Sequence, residues 1–288
     1  AGCVVANRLS AGGKYSVAVL EAGGPDNYPW IHIPVGYFKT MGNPKTDWCY
    51  KTEPDPGLNN RSLDWPRGKT LGGSSSINGL LYVRGQPQDF NHWRQLGNSG
   101  WSWEDVLPLF KRSESWEGED DRMRGQEGPL TVSRNRVNRG IVDAWLAAAV
   151  AAGHKWTDDY NQEDQEGVGY FQMTMKGGRR CSSAVAYLNP VKHRKNLTVL
   201  TRAHTQRIVI KDGKALGAEV RINGDVKIIR ARKEIILCTG AIGSPQLLML
   251  SGIGDGRELQ DHGIETRYNL PGVGKNLQDH LQVRPIYK

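Results

Sequence analysis

Apolar positions along this chain recur with two different periods, and each change of period marks an element. Val4, Val5 and Leu9 fall on one helical face and the run closes at Gly12-Gly13, which predicts a short amphipathic helix. Ser16 to Leu20 is instead an unbroken β-rich stretch, as expected of a parallel strand buried on both faces. Residues 25–66 are rich in Pro, Asn and aromatics without a period, which predicts a long irregular excursion. Helical spacing returns at Trp103 to Phe110, with Ser102 as the cap, and again at Ile141 to Ala152. A third helix is expected from Ser182-Ser183 through Tyr187 to a stop at Pro190. Between these, the acidic stretch Glu114 to Asp121 reads as an exposed loop.

Strand patterns then dominate. Leu197 to Leu200 is one strand, and Arg207 to Ile210, Ala218 to Ile222 and Lys227 to Ile229 are three more. The last three are joined by Asp212-Gly213 and Asn223-Gly224, dipeptides that accept left-handed backbone at both turn positions, so a three-stranded antiparallel meander is predicted. Glu234 to Cys238 reads as a buried strand running into Thr239-Gly240-Ala241, and Ser244-Pro245 as the opening of a helix that stops at Gly252. The order implies an α/β fold: a doubly wound sheet that carries the meander as an insertion.

Composition narrows the classes. In 288 residues, 38% are hydrophobic and 24% charged, ordinary for a globular chain with a real core. No apolar run approaches the ~20 residues of a membrane span. The net charge of +8 is spread among acids, as in Glu117 to Arg124. Its only tight clusters are Arg179-Arg180 and Arg230 to Lys233, which argues for a solvated surface rather than a nucleic-acid footprint. Cys3, Cys49, Cys181 and Cys238 form no CxxC pair, and neither they nor the seven histidines show metal-ligand spacing. A reducing cytoplasm is the expected compartment, with or without peripheral membrane association. The chain begins without Met and directly in a helical pattern, so both ends are expected to be cut, with a first strand missing.

Two places carry candidate chemistry. Gly2 opens a helix and Glu21 closes the strand that follows, 19 residues later, which matches the second half of a dinucleotide fingerprint in which the acid accepts from a ribose hydroxyl. The run Arg67-Gly68-Lys69-Thr70-Leu71-Gly72-Gly73-Ser74-Ser75-Ser76-Ile77-Asn78-Gly79 offers close-approach backbone and hydroxyl donors just ahead of Leu80-Leu81-Tyr82-Val83. Feeding a helix N-terminus, such a loop suits an anion.

These segments resemble the glucose–methanol–choline (GMC) oxidoreductase family. Arg67 to Leu81 and on to Arg84-Gly85 is similar to its first signature, Gly240-Ala241-Ile242-Gly243-Ser244-Pro245 through Gly254 to its second, and Leu270 to His280 to a third family stretch; Trp48, Tyr50, Thr52 and Glu53-Pro54 also fit. The resemblance covers essentially the whole chain and is nearest to bacterial choline-dehydrogenase-like and aliphatic-alcohol dehydrogenases. It implies a Rossmann-like FAD-binding domain made of residues 1–84 and 196–280, a cap or substrate-side region at 85–195, and an absent C-terminal GMC domain.

Carried over by residue, the resemblance implies that Glu21 holds the adenosine ribose and Gly2 lies under the pyrophosphate. Leu71, Gly72, Gly73 and Ser74 would pass beside the flavin and diphosphate, and Asn78, Gly79, Leu80 and Leu81 would line the isoalloxazine. Thr205 would meet the adenine through its main chain, and Gly240 and Ala241 would approach from the returning strand. Ile77-Asn78 stands where some members carry a flavin-linking His, which implies non-covalent FAD. The implied reaction is oxidation of a primary alcohol, choline or an aliphatic one, to the aldehyde with hydride transfer to flavin, the electron acceptor being undetermined. The catalytic base is expected beyond Lys288, and His280 reads as structural. Two other readings stay open: an amine-oxidase-like flavoprotein, which would need a different segment in place of Gly72 to Leu81, and an inactive nucleotide-binding fragment.

Overall fold

The computed structural model describes residues 1–119, 122–280 and 282–283. Helices and strands are mixed along the chain, as an α/β protein requires. Two compact units emerge: one of residues 1–2, 18–22 and 199–288, the other of residues 3–17 and 23–198. The sequence-based division set residues 1–84 apart from 85–195, whereas here 23–84 cluster with 85–198.

The first unit is built on the meander. Strands Ala203–Lys211, Lys214–Ile222 and Asp225–Arg230 pair antiparallel in sequence order. Its turns use the expected residues in left-handed backbone: Asp212 and Gly213 at φ 48° and 74°, Asn223 and Gly224 at 52° and 92°. One face of this ribbon is apolar because Ala203, Ile208, Ala218 and Val220 point to the same side, where Leu247 of the helix Gly240–Leu250 packs on them. Ser251 fastens the helix end to the sheet: its Oγ accepts from Ile208 N at 2.8 Å and donates to Leu247 O at 2.6 Å.

Strand Val17–Leu20 pairs with Leu197–Leu200. Val17 N donates to Asn196 O at 2.8 Å and Glu21 N to Leu200 O at 2.9 Å, so the two run parallel. This pair is two-stranded and only partly buried, not covered on both faces as expected. The expected strand Glu234 to Cys238 is also corrected: the run has no strand pairing, and Ile236 is exposed. Ile235 and Leu237 still pack against the meander core, so alternation survives without a ladder. The following helix begins at Gly240, four residues before Ser244-Pro245, because Gly240 takes φ 82° and turns the chain itself.

The helix Gly2–Ser10, which lies in the second unit from Cys3 onward, buries Cys3, Ala6 and Ser10. Ser102 caps Trp103–Ser113 in a reciprocal pair with Asp105, as predicted. Its neighbour Pro87–Gln95 brings Phe90 against Trp93, Trp103 and Phe110. Gly140–Ala151 is the expected Ala-rich helix, closed by Gly153 at φ 99°. The helix expected after Ser182-Ser183 is a single π-type turn, Ala184–Leu188. The acidic stretch gives the largest surprise. Glu114–Trp116 is a strand paired parallel with Leu130–Val132, and Glu114 is 0% exposed; Asp120 and Asp121 lie outside the described residues.

Candidate cofactor site

In the first unit, Glu21 stands at the end of its strand with its backbone held from both sides: its N donates to Leu200 O and its O accepts from Ala203 N, each at 2.9 Å. Thr205 lies two residues further along that neighbouring chain, half-buried opposite Val220, where a bulge skips Gln206. Gly2 and Cys238 meet closely, since a Cβ at Gly2 would stand 3.3 Å from Cys238 Cβ. That is a close approach, at which any larger residue would need Cys238 to give by a few tenths of an ångström. Two residues on, Gly240 has left-handed backbone and open space where a side chain would be, and Gly240 and Ala241 are both exposed.

In the second unit, Leu71 to Leu81 forms a loop without the helix expected after it. A single 3-10 turn, Gly73–Ser76, takes its place. The reason is visible in its tethers, which satisfy the serines and backbone locally. Leu71 N donates to Gly24 O at 3.1 Å, and Gly23 lies so close to Lys69 that a Cβ there would sit 1.9 Å from Lys69 O. Ser76 Oγ donates to Leu71 O at 2.7 Å, and Ser74 Oγ accepts from Gly68 N at 3.1 Å. Ser75 Oγ donates to Gly72 O at 2.7 Å, accepts from Ser183 N at 2.9 Å and meets Ser183 Oγ at 3.0 Å. Gly72, at φ 89°, is packed so tightly that a Cβ would meet Ser76 Oγ at 2.4 Å. Gly73 and Gly79, in contrast, face open space.

The far end of the loop is held by a residue the sequence pattern did not single out. Arg180 is 2% exposed and sits on the hairpin Met175–Lys176/Arg179–Arg180, whose turn is Gly177-Gly178 in left-handed backbone. Its Nε donates to Ile31 O at 2.7 Å, its Nη1 to Ser75 O at 3.1 Å and Asn78 Oδ1 at 2.7 Å, and its Nη2 to Asn78 O at 2.7 Å. No carboxylate pairs with it among the described residues. Burial alone pulls its pKa down to about 10, so it remains a cation at neutral pH. Asn78 Oδ1 also accepts from Leu80 N at 3.1 Å, and Leu80 is held at φ 65°, rare for a residue with a branched side chain. The only sequence trace of this clamp was the Gly-Gly turn ahead of the Arg179-Arg180 pair.

Behind the loop, the same signature ends in a buried ion cluster. Glu114 lies between two guanidiniums: Arg84 Nη2 donates to its Oε2, and Arg124 Nη2 donates to its Oε1 at 2.6 Å. Arg124 Nη1 reaches Asp159 Oδ2 at 2.6 Å and Gln172 Oε1 at 2.9 Å, and its guanidinium lies 4.0 Å from the centre of the Trp116 ring. Burial opposes charge at Asp159, but Arg124 and the donors of Asn161 and Gln172 prevail and hold its carboxyl below the usual range. Burial works against Arg124 too, yet Glu114 and Asp159 outweigh it and raise its pKa. Nothing in an acidic run beginning at Glu114 announces this burial, because its partner Arg84 lies 30 residues away and Asp159, which shares Arg124 with it, lies 45 residues away.

Each unit by itself has glycines that leave backbone bare, Gly240 in the first and Gly73 and Gly79 in the second, and in the first Glu21 closes a strand. The chain belongs to the GMC oxidoreductase family, which it matches over residues 3–282. What it represents is the FAD-binding portion of a GMC flavoprotein, and FAD is its cofactor. Among curated relatives it is 48% identical to the oxygen-dependent choline dehydrogenase of Rhizobium johnstonii and 47% to that of Brucella suis, matching 98% of this chain and 51% of each relative. It thus spans about half the length of those relatives. Among solved structures it is similar to pyridoxine 4-oxidase from Mesorbium loti, with a TM-score of 0.90 and 32% identity over 94% of this chain and 53% of the other. A formate oxidase matches with a TM-score of 0.83 and 30% identity over 93% of this chain and 48% of the other. Among the described residues no helix is long and apolar enough to cross a membrane.

Proposed function

We propose that this chain is the cofactor cradle of an enzyme that oxidises a primary alcohol, choline or an aliphatic alcohol, to the aldehyde. FAD, when bound, accepts the hydride, and the residues of this chain bind and orient it. Glu21 holds the ribose hydroxyls, Gly2 clears space for the pyrophosphate, and Thr205 meets the adenine through its main chain. Gly240 and Ala241 approach with backbone alone. In the second unit Leu71 to Ser74 pass the flavin and diphosphate, and Asn78 to Leu81 line the isoalloxazine. The sheet around Val17–Leu20 is read as part of a doubly wound, Rossmann-like fold, and residues 85–195 as the substrate-side cap.

The observation that carries this reading is the loop from Gly72 to Leu81, a signature segment of the family. One side of it is tied to Gly24, Ser183 and Arg180, while Gly73 and Gly79 leave their other side bare. Ile77-Asn78 in that loop supplies no nucleophile for a covalent link, so the FAD is held non-covalently. No residue of this chain is assigned as the base. The test is to purify the complete protein, record its visible spectrum, and add choline or a medium-chain alcohol without oxygen. Bleaching of a bound flavin, and release of that flavin by acid precipitation, are the expected results. Flavin that no alcohol bleaches would refute the alcohol chemistry, and absence of flavin would refute the cofactor assignment.

A further inference from the structure

Arg180 does more than fill a gap in the core. A buried guanidinium usually meets a carboxylate, and this one spends its donors on three backbone carbonyls and one side-chain oxygen. That single side-chain oxygen belongs to Asn78. With Arg180 Nη1 at 2.7 Å and Leu80 N at 3.1 Å, both donors aim at Asn78 Oδ1. Turning the amide over would set its NH2 against two donors, so the orientation follows from the network and is not arbitrary. Its consequence is that Nδ2, with both hydrogens, is presented as a donor, and among the described residues it has no acceptor. An amide held this firmly, at a half-buried position and with its donor group unspent, is built for a ligand acceptor.

We propose that Arg180 is a positioning residue for the flavin: it locks the Asn78 amide so that Nδ2 donates to an acceptor of the isoalloxazine. This rests on the proposed placement of Asn78 at the flavin. A donor at a flavin acceptor stabilises the negative charge that grows on the ring as it is reduced, so the clamp favours reduction.

The test uses the FAD-loaded protein and compares Arg180→Met, Asn78→Ala and the double variant by flavin reduction potential, visible spectrum and rate of anaerobic reduction by alcohol. Each single variant is expected to lower the potential and to slow reduction about ten- to a hundredfold, the scale of one lost hydrogen bond to a charged group. Because the arginine acts through the asparagine, the double variant should be no worse than Asn78→Ala alone. Additive losses would overturn the proposal and assign Arg180 a direct charge effect. Asn78→Asp reads the same claim without touching the arginine. It keeps both acceptor bonds, removes the donor and adds a carboxylate charge, and since both changes should lower the potential, an unchanged potential would overturn the proposal. If the unaltered protein carried no flavin, the cofactor assignment itself would fail and this inference with it; additive losses in a flavin-loaded protein would leave that assignment standing.

Discussion

Two buried arginine sites lie in the same unit, and they are stabilised in opposite ways. Around Glu114, two guanidiniums meet two carboxylates, so the charges of Arg84, Arg124, Glu114 and Asp159 cancel. Around Arg180 there are only carbonyl dipoles and one amide oxygen, so a net positive charge stays inside the protein. The first arrangement is self-contained, its polar atoms turned toward one another. The second spends its bonds on the loop that precedes it in space and leaves its charge uncancelled. A neutral cluster ties strands together, whereas the Arg180 cation spends its donors on shaping a loop.

That contrast can be broken at several points. Glu114→Gln should cost the most, about 3–5 kcal/mol in denaturant unfolding, because it leaves buried Arg84 with no carboxylate and Arg124 with Asp159 alone; a loss under ~1 kcal/mol would mean the cluster is not the electrostatic unit described. Arg180→Met should cost less, roughly 1–3 kcal/mol, since it orphans carbonyls and not charges, and a larger loss than Glu114→Gln would invert the comparison.

Asp159 offers a pH test. Its folded pKa is depressed, so its contribution is present above the unfolded value of about 4 and is lost as pH falls through the lower folded value. Asp159→Asn should therefore destabilise by about 1–2 kcal/mol at neutral pH, with the gap to the unaltered protein closing in melts run below about pH 4. The smallest effect is expected from Ser183→Ala, about 0.5–1.5 kcal/mol, with FAD released more readily on dilution, because the Ser183 Oγ contacts to Gly72 O and Ser75 Oγ are lost while Ser183 N still donates to Ser75 Oγ.

What could be read from residue order was what depends on neighbours in the chain. The meander turns at Asp212-Gly213 and Asn223-Gly224 and the Ser102 cap follow from local backbone demands, and the structure has them. Errors came where a long-range partner decided the outcome. Glu114 looked solvated because acids usually are, and only Arg84 and Arg124 make its burial tolerable. The loop after Gly72 seemed to lead into a helix, but Gly24, Ser183 and Arg180, far off in sequence, take its bonds. Arg180 was the least legible of all, since its partners are mostly backbone carbonyls, which every residue has.

Leu80 holds a last consequence. Its left-handed backbone is kept in place by Asn78 Oδ1 on one side and by Thr174 N, 2.9 Å from its carbonyl oxygen, on the other. A stretch restrained in this way has already given up its freedom when the chain folds, before any cofactor arrives. With the flavin seated here as proposed above, docking would demand little further ordering, so affinity would not be reduced by a search among loop shapes. Association at this segment should proceed as a single kinetic phase, its speed set by encounter.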